Sequence, residues 1–138
     1  MRPIVSSVLA RRYRCQACAG VIVVVPAEVL PGRLYTASAL ALAFALFGVL
    51  RQGARAVRAQ ISPWSIVGQG TTGWATLRRW LRAVRDGLLW RCVRPAPATW
   101  PGHKVAERAA GSVAAHAPPG KPCPPMTTAA FIGAARAR

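Results

Sequence analysis

The chain has 138 residues and a formal net charge of +16, with 17 Arg and 2 Lys set against only Glu28, Asp86 and Glu107. That length holds one small domain with extensions, and so basic a balance suits a polyanionic partner, either nucleic acid or an anionic membrane surface. Three acids in unrelated contexts argue against the converging carboxylates of a two-metal nuclease or transposase centre.

Residues 8–26, "VLARRYRCQACAGVIVVVP", read as strand, tight knuckle, strand. The run Val21 to Val25 is β-branched throughout and stops at Pro26, which has no N–H to give a ladder. Cys15 and Cys18 lie at the bend, flanked by Arg11, Arg12 and Arg14. With Cys92 and Cys123 isolated, the four cysteines do not form a disulfide framework, which points to a reducing cytoplasm. The arginines also interrupt the N-terminus before it can build the apolar core of a signal peptide.

After the turn-rich "PAEVLPGRL", residues 34–50 read as helix, 17 residues without a charge. They would span roughly 25 Å, short of the roughly 30 Å hydrocarbon core. Ala37, Ala41, Ala45 and Gly48 form one small-residue stripe, with Leu40, Phe44, Phe47 and Leu50 on the adjacent face. A buried helix of a small bundle is the expectation, and a membrane helix the alternative. Residues 51–61 allow a second short helix with Arg51, Arg55 and Arg58 on one face. Ser62-Pro63 then starts a third, with Ser as cap and Pro in the first turn, over "PWSIV".

The segment "TTGWATLRRWLRAVRDG" opens on capping residues Thr71 and Thr72 and closes at Gly87. At 100° per residue, Trp74, Leu77, Trp80, Leu81, Val84 and Leu88 fall within about 120°. Arg78, Arg82 and Arg85 share the neighbouring face, and Arg79 lies further round. One face suits a core and the other something negative. From Pro95 onward eight prolines and thirteen alanines leave few large apolar residues. Weak helices within "HKVAERAAGSVAAHA" and "PMTTAAFIGAARAR" lack a strong buried face, so a partly disordered or loosely docked tail is expected, with His103 and His116 as solvated residues in it.

Helices over 34–50, 54–61, 63–67 and 72–85 have the grammar of a helix-turn-helix domain, short helices joined by glycine-containing turns with a basic amphipathic helix last. In that geometry Thr72, Thr76, Arg78 and Arg79 face base edges, and Arg82, Arg85, Arg55 and Arg58 face phosphates. The rival reading of the same helix is a tryptophan-anchored membrane-surface helix. The organisation expected is a hairpin over 1–33, a mainly α helix-turn-helix-like bundle over 34–94, and a Pro/Ala-rich tail over 95–138.

"RRYRCQACAGVIVVVP", "LPGRLYTASALALAFALFGV" and "SPWSIVGQGTTGWATLRRWLRAVRDG" together resemble bacterial proteins of insertion-sequence or transposase-associated type, in which an N-terminal zinc ribbon precedes a helix-turn-helix. The resemblance covers residues 11 to about 90 and implies a non-enzymatic, mobile-element-related DNA-binding protein; the alternatives are a small membrane-associated protein anchored by residues 34–50 and a degraded gene product without defined function. Such ribbons use two Cys-x-x-Cys knuckles, since structural zinc takes four ligands, and no cysteine precedes Cys15. The favoured reading is a ribbon whose first knuckle is lost. The pair then binds no zinc through this chain alone. The alternatives are completion by Cys92, Cys123 or a histidine, one zinc shared by two chains in a homodimer, and a redox pair, for which the surrounding arginines favour the thiolate.

Overall fold

The computed structural model describes residues 4–26, 29–30, 34–62 and 74–137. It is mainly helical, with one two-stranded antiparallel hairpin at the N-terminal end. Strand β1 (Arg11–Arg14) pairs with β2 (Val21–Val24) in the register Arg11 to Val24 and Arg14 to Val21. This is the strand, knuckle, strand expected from the β-branched run. Every residue of both strands is exposed, and none belongs to the hydrophobic core.

Helix α1 (Ala37–Phe44) is capped by Thr36, whose hydroxyl accepts from the Ala39 N–H at 3.2 Å. The coil then widens into a π-helical stretch, Ala45–Val49, where the Leu50 N–H reaches the Ala45 carbonyl at 3.1 Å. The small-residue stripe Ala37, Ala41, Ala45 and Gly48 is buried, whereas Leu50 is exposed. A Cβ on Gly48 would stand 2.3 Å from the backbone nitrogen of Glu107, so the two backbones touch there.

Among the described residues, no helix is long and apolar enough to cross a membrane. Helix α2 (Ala54–Ile61) buries Val57 and Ile61. Arg51, expected on its basic face, lies before the helix with φ +55° and pairs with Glu107 at 2.9 Å. The helix expected over 63–67, and Thr71 and Thr72, lie outside the described residues.

Helix α3 (Ala75–Arg85) buries Leu77, Trp80, Leu81, Ala83 and Val84. Trp80 stands edge-on to Tyr35 at 5.1 Å, to Trp74 at 5.0 Å and to Phe44 at 6.5 Å, which ties α3 to α1. Leu88 departs from the expected buried arc and is 72% exposed. The helix has ended by then: Gly87, at φ +68°, turns the chain, and Leu89 and Trp90 take the core positions instead.

Two further helices, α4 (Gly102–Ala114) and α5 (Met126–Ala134), complete the core. The sequence expectation of no strong buried face fails for α4, in which Val105, Ala106, Ala109, Ala110 and Val113 are all fully buried. The physical reason is small-residue packing. Alanines lose little surface individually, but they let helices approach until backbones meet, and a Cβ on Gly133 of α5 would collide with the carbonyl of Val113. Burying the large side chains Trp80, Phe44, Leu40 and Leu77 adds about 1.5–3 kcal/mol each on an area basis.

Candidate functional site

Helix α3 divides cleanly. Measured from Leu77 at 100° per residue, its buried positions lie within about 160°, and Arg78, Arg79 and Arg82 occupy the opposite side, all exposed. Thr76, in the first turn, is half-buried. Arg78 and Arg82 are four residues apart and Arg82 and Arg85 three, so the three are neighbours along one edge of the helix.

Arg85 leaves the solvent edge. It is half-buried, and its Nη2 donates to the carbonyl of Trp100 at 2.6 Å, while its buried Nε has no hydrogen-bond partner among the described residues. The residue expected on a phosphate is thereby anchored to the segment that leads into α4. Trp100 in turn carries two more cations: Lys104 Nζ lies 4.3 Å from its ring centroid, and the Arg108 guanidinium carbon 5.3 Å. Lys104 and Arg108 are one turn apart on α4.

Spacing along α3 and contacts at Trp100 thus join Arg78, Arg82, Arg85, Lys104 and Arg108 into one basic stripe around a tryptophan. Sequence reasoning missed its second half. The Lys104/Arg108 spacing is legible in "HKVAER", but composition places that segment in a tail, and only the tertiary fold brings Arg85 to Trp100 beside it. Glu107, on the same helix, is engaged by Arg51. Asp86, at the C-cap of α3, is exposed. Of the remaining expected contacts, Arg55 is exposed and Arg58 half-buried on α2, and neither touches the stripe through a contact recorded among the described residues.

The second group is the knuckle. The Cys15 N–H donates to the Gly20 carbonyl at 2.8 Å and the Ala19 N–H to the Cys15 carbonyl at 3.0 Å, closing a tight loop. Ala19 holds φ +58°, a conformation that favours glycine. Hydrogen bonds from the Cys18 backbone N–H, then the Ala17 N–H and the Cys18 thiol, lower the pKa of the Cys15 thiol. Both thiols are exposed.

The other cysteines are elsewhere in the chain's architecture. Cys92 packs half-buried against the core, which raises its pKa, and the exposed Cys123 makes a 3.8 Å contact to the Pro124 carbonyl. His103 stacks on Phe47 with ring centroids 4.2 Å apart. Among the described residues no group of three or more His, Cys, Asp or Glu is placed to hold a metal ion.

No family model matches the sequence, no curated protein matches it, and no solved structure matches the fold.

Proposed function

We propose that the protein binds duplex DNA without catalysing a reaction on it, and that the basic stripe running from α3 through Trp100 to α4 is the binding surface. The observation that carries this reading is the convergence of Arg85, Lys104 and Arg108 on Trp100, which extends the arginine edge of α3 across a second helix. Arginine forks grip phosphate oxygens bidentately, and a stripe longer than one helix follows a phosphate backbone better than a single basic face. Arg82, Lys104 and Arg108 contact phosphates; Thr76, Arg78 and Arg79, nearer the start of α3, are the residues offered to base edges in the manner of a recognition helix. A mobile-element-associated role remains the biological context that the sequence resemblance proposes for this activity.

The test is titration of a fluorescent duplex with the wild-type protein and with Arg78→Ala/Arg82→Ala and Lys104→Ala/Arg108→Ala variants. Both pairs lose at least about tenfold in affinity if they contact the duplex, since each removes two charge contacts. Loss from the α3 pair alone would confine the surface to one helix. Undiminished binding by both pairs, or preferential capture by vesicles of anionic lipid, would overturn the proposal.

A further inference from the structure

The Cys15–Cys18 loop is built as half of a site. It is closed by the Cys15 to Gly20 hydrogen bond, and Ala19 takes the left-handed turn that brings both sulfurs to one end of the hairpin. Gly20 lets Cys18 Sγ lie against the backbone, since a Cβ there would stand 3.2 Å from that sulfur. A pair of preorganised soft thiol ligands is a zinc-type donor set, and a closed structural zinc site takes four.

Cys92 packs at the core and His103 is stacked on Phe47, and among the described residues neither the exposed Cys123 nor the exposed His116 joins Cys15 and Cys18 in a metal-ligating cluster. The hairpin bearing the pair is itself uncovered. Tyr13 and Val21 to Val24 are each at least half exposed, and among the described residues no further strand pairs with either edge of the two-stranded ribbon. Such a ribbon is marginal alone in water, and its open edges and apolar strand suit burial against a like ribbon.

We propose that Cys15 and Cys18 form one half of a tetrathiolate zinc site completed by the same two residues of a second copy of the chain. Binding converts Zn²⁺ and four thiols into a Zn(thiolate)₄ unit and releases four protons, leaving the site with a charge of −2. That charge offsets part of the +6 carried by Arg11, Arg12 and Arg14 of the two copies, which would otherwise repel more strongly across the interface. With only one chain's two thiolates the complex is neutral, and the arginines gain nothing from it. The exposed β2 side chains of the two copies cover one another beside the metal. The inference is independent of DNA binding, because the knuckle shares no residue with the basic stripe.

The full-length protein, kept reduced, is titrated with Co²⁺ and then Zn²⁺, with mass measured by sedimentation equilibrium in parallel. The expected result is saturation at one metal per two chains, the visible absorption of a tetrahedral cobalt tetrathiolate, and a shift from monomer to dimer that follows metal occupancy. Cys15→Ser and Cys18→Ser each abolish both changes, and Cys92→Ser/Cys123→Ser abolishes neither; the retained helical circular dichroism of the serine variants separates loss of the site from loss of the fold. One metal per chain in a monomer, metal lost on replacing Cys92 or Cys123, or no tight metal at all would overturn it.

Discussion

The sharpest consequences at the scale of single residues concern glycines and charges. Gly48→Ala forces a Cβ into the backbone of α4, where no side-chain rotation can relieve it, and should cost about 3 kcal/mol or more in chemical denaturation. Gly111, inside α4, faces open space, so Gly111→Ala should stabilise by about 0.5–1 kcal/mol through helix propensity. Equal effects at the two positions would contradict the helix crossing described. Asp86 stands at the C-cap of α3, where the helix dipole disfavours a negative charge, beside arginines that would face phosphate. Asp86→Asn should therefore raise duplex affinity while leaving thermal stability nearly unchanged, because relief at the helix dipole is offset by the attraction lost to the neighbouring arginines. At the knuckle, the backbone N–H groups that stabilise the Cys15 thiolate and the burial that disfavours ionisation of Cys92 act in opposite directions. Alkylation near neutral pH, followed by peptide mass mapping, should modify Cys15 well before Cys92.

At the scale of elements, α3 and α4 teach different lessons. The periodicity of large side chains on α3 identified its buried and basic faces, and Leu77→Ala should cost about 2–5 kcal/mol whereas Leu88→Ala should stay within about 0.5 kcal/mol. Leu88 was misread because a helical wheel has no knowledge of where the helix stops, and Gly87 resets the phase one residue earlier. Helix α4 was undervalued for another reason. Its buried face is written in Ala106, Ala109 and Ala110 between two valines, and hydrophobic bulk is a poor measure of a contact made by backbones in close approach. The hairpin was legible because β-branching, Pro26 and a Cys-x-x-Cys bend agree over a short span. The Trp100 cluster was not, because Arg85 reaches the Trp100 carbonyl only through the tertiary fold.

For the whole molecule, the helical core and the hairpin are unequal partners. The core draws on α1, α3, α4 and α5, and none of residues 4–26 enters it. A chain ending at residue 94 should lose cooperative unfolding, since α1 and α3 then expose the surfaces that α4 covers. Removing residues 1–26 should shift Tm by only a few degrees. Function is likewise assigned to the assembled core, because the basic stripe exists only when α3, Trp100 and α4 are in place. The most direct test of that claim is the salt dependence of duplex binding by the wild-type protein and by an Arg82→Ala/Lys104→Ala/Arg108→Ala variant. If Arg82, Lys104 and Arg108 contact phosphates together, the wild-type protein's log affinity falls with log salt at a slope of about −2.7, and the variant loses nearly all of that slope. A wild-type slope near zero, or one that the three substitutions leave unchanged, would contradict the account.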